Sequence, residues 1–226
     1  MNIKFLQCNA QNYKKGRTQK IRYIVIHYTA GNGDTAKNNA DYYAGNLIKA
    51  SAHYFVDEGD TIYQSISDGD TAYAVGGTSK YIHPYCRNAN SISIELCSRN
   101  RNGSGREATD NGWYFKDETV KNAAALCREL MEKYNVPPEN VIRHYDVWGK
   151  ICPAPFVNNP KLWENFKELI SMKKISYDTT VDNMIKDGIT TAENMAYWEK
   201  VLDGREPVNL QYLRAVLDRY HECNND

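Results

Sequence analysis

The sequence lacks any long apolar segment and any excess of charge of one sign. No apolar run approaches the roughly 18 residues of a transmembrane helix, so none is predicted. The N-terminal stretch MNIKFLQCNAQNYKKG has no apolar core of the kind found in secretion signals, and we expect synthesis in the cytoplasm without a classical signal peptide. Because 28 Lys and Arg balance 28 Asp and Glu, bulk charge gives no reason to expect nucleic acid or an anionic membrane as a partner.

Cysteine is present, but not in the spacings that build small structural sites. The six cysteines lie at positions 8, 86, 97, 127, 152 and 223, and no two form a CxxC pair. This irregular spacing argues against a disulfide framework and against a cysteine-rich zinc finger. A chain of 226 residues can bury one substantial core, or one domain of about 150–170 residues with a small appendage.

Several short segments predict strands. The β-branched run Arg22 to His27 predicts a buried strand. The alternating SISIEL (Ser91 to Leu96) places its isoleucines and leucine on one face, and its serines and Glu95 on the other. Two strand-like runs around the turn DEGD predict a hairpin. PENVIRH predicts a further short strand that ends near His144, while residues 67–90 and 99–112 predict long loops.

Helical spacing appears between these strands. Asp34 or Thr35 can cap a helix whose apolar residues run from Ala36 to Leu47. Asp117 to Tyr134 predicts an amphipathic helix, and KLWENFKELI predicts another. The alternation indicates an α/β fold with a mixed central β-sheet flanked by helices.

The character of the sequence changes near Ile175. Three segments with apolar residues at three and four spacing predict a compact module of three short helices: DTTVDNMIKDGI, TAENMAYWEKVLDG and NLQYLRAVLDRYHE. We therefore divide the chain into a catalytic domain at residues 1–174 and a small C-terminal helical module at residues 175–226.

Three side chains carry the strongest chemical signal. His27, His144 and Cys152 offer two imidazoles and a thiolate, which suit tetrahedral zinc, and three protein ligands leave one position open, as in catalytic sites. Lys150 lies two residues before Cys152 and could stabilise an oxyanion. On residue type alone, His144 could equally be a surface residue and Cys152 a buried apolar one.

Four segments in order resemble one family. VIHYTA, SAHYFVDEGDTIYQ, SISIEL and RHYDVWGKIC are similar to the zinc-dependent N-acetylmuramoyl-L-alanine amidases, the superfamily of animal peptidoglycan recognition proteins, over roughly residues 20–170. The resemblance implies that Zn²⁺ is held by His27, His144 and Cys152.

The same resemblance implies catalytic roles for two further residues. It makes Lys150 the family lysine and Glu95 the residue that takes a proton from zinc-activated water. Ser93 stands where glycine is usual, and Ala52 where other members have tyrosine, which leaves Glu95 as the preferred base. From its strand phase alone, Glu95 could instead be a solvated residue on an exposed face.

The sequence allows more than one role for two other polar residues. His53 could be a core histidine, a partner of a ligand or a substrate contact, and Asp146 could orient a ligand or lie at the surface.

The implied function is hydrolysis of peptidoglycan, between N-acetylmuramic acid and L-alanine, by a phage or prophage endolysin-like, bacteriolytic enzyme that acts at the cell wall after release. The alternatives are a cytoplasmic amidase that recycles soluble muropeptides and a non-catalytic peptidoglycan-binding module. The C-terminal helices could target the wall or cap the core. A nucleic-acid binder has no basic patch to support it.

Overall fold

The computed structural model describes residues 2–76, 80–171, 186, 194–202 and 207–223. The chain divides into two units, Met1–Met172 and Lys173–Asp226. Within the described residues, no helix is long and apolar enough to span a membrane.

A six-stranded sheet runs through the first unit in the order β1-β5-β4-β7-β3-β10. Neighbouring strands are parallel except for β4 and β5, which form the antiparallel hairpin predicted around DEGD. Two short strand pairs, β2 with β6 and β8 with β9, lie outside it. The strands are β1 (Asn2–Phe5), β2 (Tyr13–Lys14), β3 (Tyr23–Tyr28), β4 (Tyr54–Val56), β5 (Thr61–Gln64), β6 (Thr71–Ala72), β7 (Ser91–Leu96), β8 (Arg99–Asn100), β9 (Trp113–Tyr114) and β10 (Val141–Arg143).

Helices cover both faces of this sheet. In the first unit they are α1 (Ala36–Gly45), α2 (Asp117–Tyr134), α3 (His144–Trp148), α4 (Ala154–Asn158) and α5 (Pro160–Ser171). Short 3-10 turns occur at Ala10–Asn12, Asn88–Asn90 and Pro138–Asn140. The predicted α/β fold with a mixed sheet and flanking helices is confirmed.

The alternation of side chains along β3 and β7 separates two environments. Ile24 and Ile26 pack on one face with Ile92 and Ile94, against the buried side of α2 and against α4 and α5. Val25 lies on the other face, in a smaller apolar cluster. His27 and Glu95 share the phase of Val25, so the sheet directs them away from the main core.

Helix α1 begins as predicted but ends early. Thr35 and Asn38 form a reciprocal capping box at its start. The prediction that its apolar face extends to Leu47 is wrong, because the helix ends at Gly45 and Leu47 is exposed. The side chain of Asn12 accepts hydrogen bonds from the backbone N–H groups of Ile48 and Lys49, which draws this segment away from the helix axis.

The described part of segment 67–90 contains regular elements as well as loop. It contains β6, which pairs with β2, and the 3-10 turn Asn88–Asn90. The segment 99–112 begins with β8, whose pairing with β9 closes it as a loop.

The second unit contains two described helices, α6 (Met195–Leu202) and α7 (Leu210–Cys223). α6 lies within the second predicted segment, and α7 covers the third from Leu210 onward and extends one residue beyond it. The first predicted segment, residues 178–189, lies outside the described residues except for Lys186. In α7, Leu210, Leu213 and Leu217 recur at three and four spacing, as the amphipathic pattern predicts.

A buried carboxylate joins three elements of the first unit. Asp68 accepts hydrogen bonds from the hydroxyls of Tyr54 (2.7 Å) and Tyr134 (2.6 Å), and from Lys133 Nζ (3.0 Å). Burial alone would raise the pKa of Asp68, but the bonds from Tyr134, Tyr54 and Lys133 outweigh it and hold the pKa below its usual value. The ionised carboxylate therefore ties the chain after β5 to β4 and to the end of α2.

Replacing Asp68 by Asn removes this charge and keeps the size. A depressed folded-state pKa means that the carboxylate stabilises the fold above its unfolded pKa of about 3.9, and that this contribution is lost as the pH falls through the folded pKa. We expect Asp68→Asn to lower the free energy of unfolding by roughly 1–3 kcal/mol at about pH 7. The difference should shrink toward about pH 3.

Urea unfolding at several pH values measures this difference, and Asp60→Asn, at the exposed hairpin turn, is the matched control. A deficit for Asp68→Asn that stays constant across the whole pH range would contradict the role of the charge.

Candidate active site

Two histidines meet where two parallel strands end. His27 is the penultimate residue of β3, and His144 directly follows β10 as the first residue of α3. Arg143 pairs with Ile26 across the two strands, so the histidines lie side by side. Their ring centroids are 4.6 Å apart, and their exposed fractions are 2% and 6%. His144 is therefore not the surface residue that residue type alone allowed.

A tight return of the chain brings Cys152 to the same place. Helix α3 ends at Trp148, and Gly149 caps it with a φ of 73°, in the left-handed region that favours glycine. The backbone N–H of Tyr145 then donates to the carbonyl oxygen of Cys152 (2.8 Å), which folds the chain after the helix back toward its start. The Cys152 Sγ lies 3.8 Å from His27 Nδ1.

These three residues fit a metal ion by distance and by donor chemistry. One ligand atom from each of His27, His144 and Cys152 lies within 4.8 Å of the others. Bond lengths of about 2.3 Å for zinc–sulfur and about 2.0 Å for zinc–nitrogen place ligands of one tetrahedral ion roughly 3.5 Å apart. The Nε2 atoms of both histidines are buried and have no hydrogen-bond partner among the described residues. Buried nitrogens without a partner are costly unless something binds them.

The electrostatics of this cluster also favour a bound cation. Burial and, to a smaller extent, the nearby positive charge of Lys150 together lower the pKa of His144 to about 4. Burial lowers the pKa of His27 as well, so both imidazoles are neutral and can act as ligands. Burial raises the pKa of the Cys152 thiol. A cation held by Cys152 would reverse that shift, because coordination stabilises the thiolate.

Glu95 faces this cluster from the adjacent strand. In the parallel pairing of β3 with β7, Glu95 lies opposite His27. Its Oε2 is buried and has no hydrogen-bond partner among the described residues. The pKa of Glu95 is raised to about 8. Burial is the main cause and the Asp34 charge adds to it, while the positive charge of Lys150 partly offsets the rise. The carboxyl group is therefore not the solvated residue on an exposed face that its strand phase allowed.

A cleft of about 240 Å³ contains all five predicted site residues. Lys150 is exposed, Glu95 is half-buried, and His27, His144 and Cys152 are buried, so a lysine stands at the edge of a polar floor. The cleft is lined by His27, Tyr28, Thr29, Ala30, Asn39, Tyr43, Ala50, Ser51, Phe55, Tyr73, Ala74, Glu95, Ala108, His144, Lys150 and Cys152.

The loop between β8 and β9 supplies one wall of this cleft through Ala108. The Tyr28 hydroxyl donates a hydrogen bond to the Ala108 carbonyl, and Trp113 Nε1 donates to the Glu107 carbonyl (2.9 Å). At the base of the loop, the Asp110 carboxylate accepts from the Asn100 and Asn102 side chains and from the backbone N–H of Gly112. Tyr28, which directly follows His27 in β3, thus lines the cleft and holds the loop that forms its wall.

His53 has structural contacts. It is fully buried, and its Nδ1 accepts a hydrogen bond from the backbone N–H of Ser93 (3.0 Å). Its Nε2 lies 2.6 Å from an Arg17 nitrogen. His53 does not line the cleft, and these contacts match its reading as a core histidine. Ser93, which stands where the family pattern has glycine, is buried with its hydroxyl unpaired among the described residues.

Asp146 and Ala52 also lie outside the cleft. The Asp146 carboxylate accepts hydrogen bonds from the backbone and the guanidinium of Arg143, which holds the start of α3. Asp146 therefore acts on the helix that begins with His144 rather than on a ligand side chain. Ala52 is buried in an apolar cluster with α1.

Comparisons of the sequence with known proteins agree with the resemblance. The profile of the N-acetylmuramoyl-L-alanine amidase family matches residues 17–155. The chain is 34% identical to the N-acetylmuramoyl-L-alanine amidase CwlL of Bacillus licheniformis, over 71% of this chain and 44% of that protein. It is 31% identical to BlyA of Bacillus subtilis (strain 168), over 70% of this chain and 43% of that protein. The chain thus spans less than half the length of these two relatives.

Solved structures show the same similarity in three dimensions. PlyL superposes with a TM-score of 0.59 at 27% identity, over 77% of this chain and 99% of that one. The catalytic domain of XlyA superposes with a TM-score of 0.58 at 25% identity, over 76% of this chain and 100% of that one.

Proposed function

Because this chain belongs to the N-acetylmuramoyl-L-alanine amidase family, we propose that it hydrolyses peptidoglycan at the amide bond between N-acetylmuramic acid and L-alanine. The bacterial cell wall is then its substrate and its place of action. The relatives of known name, CwlL and BlyA, support this substrate.

The observation that carries the proposal is the pairing of Glu95 with the three-residue cluster in one cleft. A buried carboxyl oxygen without a partner is costly. The Glu95 Oε2 is such an atom among the described residues, and Glu95 lies opposite His27 on the neighbouring strand. A general base next to a metal-ligand set is the arrangement that amide hydrolysis needs. A module that only binds peptidoglycan has no need of such a base.

We propose that His27, His144 and Cys152 hold Zn²⁺. Their donor chemistry, their mutual distances and their unpaired Nε2 atoms support this assignment. A bound zinc ion supplies Lewis acidity, which makes water a nucleophile near neutral pH and polarises a carbonyl.

The remaining catalytic work falls to two residues of the chain. Glu95 accepts a proton from the attacking water and donates it to the leaving amine of L-alanine. For that it must be ionised, and positive charge from Lys150 and from the bound cation favours the ionised form. Lys150, at the edge of the cleft, stabilises the negative charge that develops on the amide oxygen.

We further propose that residues 1–174 form the catalytic domain and that residues 175–226 form a module that targets the cell wall. The division of the chain after Met172 and the exposed apolar residues of α7 support this assignment. The alternative is that these helices cap the core.

The proposed activity predicts the chemical groups released from purified cell walls. We expect free N-terminal alanine to accumulate without new reducing sugars, because an amide bond is cut and the glycan is not. Reducing sugars released without alanine would contradict the amidase assignment. Assays on intact walls and on soluble muropeptides separate a wall-degrading enzyme from a recycling one.

Glu95→Gln is the matched variant for this assay, since it keeps the size and removes the proton acceptor. We expect turnover to fall on the order of 10²-fold or more, the scale of losing a general base, with the metal content unchanged. Normal turnover in Glu95→Gln would move the base role to another residue.

The metal assignment predicts about one zinc per chain, a ratio set by a single three-ligand site. His27→Ala and Cys152→Ser should lose the metal and the activity together. Cys127→Ala, which changes a buried cysteine next to α5 rather than in the cleft, should keep both. Metal analysis by emission spectroscopy measures the content, and chelation should lower the unfolding temperature, because the metal binds the folded state. Full activity in a metal-free preparation is the contrary result.

Shortening the chain tests the role of the C-terminal residues. A version that ends at Met172 should fold, hold zinc and cut a soluble muropeptide, while its binding to whole cell walls falls. Sedimentation with walls measures binding, and the full chain is the control. Aggregated protein would instead indicate a cap on the core, because it would report an apolar face left uncovered.

A further inference from the structure

A second cleft of about 440 Å³ adjoins the catalytic one. The two clefts share His144 and Lys150 together with Ala50, Tyr73 and Ala74. The second cleft adds Lys49, Gly76, Asn88 and Trp148. His144 and Lys150 border both clefts. A substrate bound in the catalytic cleft can therefore extend from these two residues into the second cleft, on one side of the bond to be cut.

The lining of this second cleft carries positive charge only. Lys49 and Lys150 are both exposed, and no Asp or Glu is among the described residues that line it. Every described residue at its wall is therefore neutral or cationic. Such a surface favours a ligand with negative charge.

The neutral polar groups of the second cleft also offer donors. Trp148 Nε1 is buried and has no partner among the described residues. The Asn88 Oδ1 already accepts hydrogen bonds from the backbone N–H groups of Ala74 (3.1 Å) and Val75 (2.7 Å). The Asn88 amide nitrogen remains, and it faces Gly76, 3.1 Å from where a Cβ would stand. A ligand that accepts hydrogen bonds suits this wall.

The backbone of Lys49 is held in an uncommon conformation. Its φ of 59° lies in the left-handed region, which is rare for a side chain of this kind. The buried side chain of Asn12 maintains it: Oδ1 accepts from the N–H groups of Ile48 (2.7 Å) and Lys49 (2.8 Å). Its Nδ2 donates to the carbonyls of Asn46 (2.8 Å) and Tyr43 (3.3 Å). Three of these four side-chain bonds thus hold the segment 46–49 that carries Lys49, and the fourth joins Asn12 to α1.

We propose that this second cleft binds the stem-peptide side of the substrate and that Lys49 determines specificity by binding a free carboxylate of that peptide. The inference rests on the proposed function, which defines the two halves of the substrate. The N-acetylated glycan half is uncharged, whereas the stem peptide carries carboxylates, which are amidated in some walls. Of the two halves, only the peptide supplies the anion that this lining favours.

Binding can be measured apart from hydrolysis in the full chain carrying Glu95→Gln. Calorimetric titrations at low salt compare two pairs of synthetic muramoyl peptides. One pair has a free carboxylate or a primary amide on the second residue. The other pair has diaminopimelate or lysine as the third residue, which differ by one carboxylate. The first pair tests the carboxylate of the second residue as the bound anion, and the other pair tests that of the third residue.

In one of the two pairs, we expect the peptide with the additional carboxylate to bind with a Kd about tenfold lower than that of the other peptide. The reason is that hydrogen bonds to a charged group are roughly twice as strong as neutral ones. Adding Lys49→Gln should abolish this ratio by weakening only the carboxylate peptide, and Lys49→Arg should retain it. Lys161→Gln, in an exposed ion pair on α5, is the matched control. Equal zinc content and unfolding temperature among the variants exclude a general loss of structure.

No preference in either pair, or a preference that survives Lys49→Gln, would overturn the role of Lys49. Failure of the proposed function is a different result, in which the unmodified chain releases no alanine from any of these peptides.

Discussion

The parallel pairing of β3 with its two neighbours is the constraint on which the site depends. Parallel strands end at the same edge of a sheet, and their register fixes which side chains meet there. β7 brings Glu95 opposite His27, and β10 brings His144 beside it. A shift of one residue in β7 would turn Glu95 into the apolar face against α2. The isoleucines of both strands, packed on that face, oppose such a shift and so hold the catalytic register.

The same packing places the polar groups of the site where they are largely shielded from solvent. Burial lowers the pKa of His27 and of His144, so both imidazoles are neutral. It raises the pKa of Cys152, which stays a thiol, and the pKa of the Glu95 carboxyl group. One cation among them would favour the thiolate and the carboxylate together. The stability of this region and its chemistry therefore depend on the same charge, which is why removing metal should affect both.

Much of the fold and the central site could be predicted because local patterns determine them. The alternation in SISIEL and the apolar periodicity of α2 give the correct elements, and the spacing of His144 from Cys152 matches one short helix and its return. The early end of α1 could not be predicted, because it depends on Asn12, which is distant in sequence. The cleft walls at Tyr73 and Ala108 lie in loops, where no periodicity shows which side chain faces inward.

The loop that carries Ala108 is fixed at its base and along its inner side, while in the described contacts its outer turn is joined to the loop after β3 by a long, exposed hydrogen bond from Asn32 to Ser104 (3.5 Å). Asp110 closes the base, and the Tyr28 hydroxyl holds the inner side to the strand that bears His27. Gly103 and Gly105 form the outer turn with φ values of 93° and 71°. Sequence changes or insertions at that turn can therefore reshape the entrance of the cleft without displacing His27, His144 or Cys152. The fold thus separates a part of the cleft that can change in evolution from a part that must stay constant.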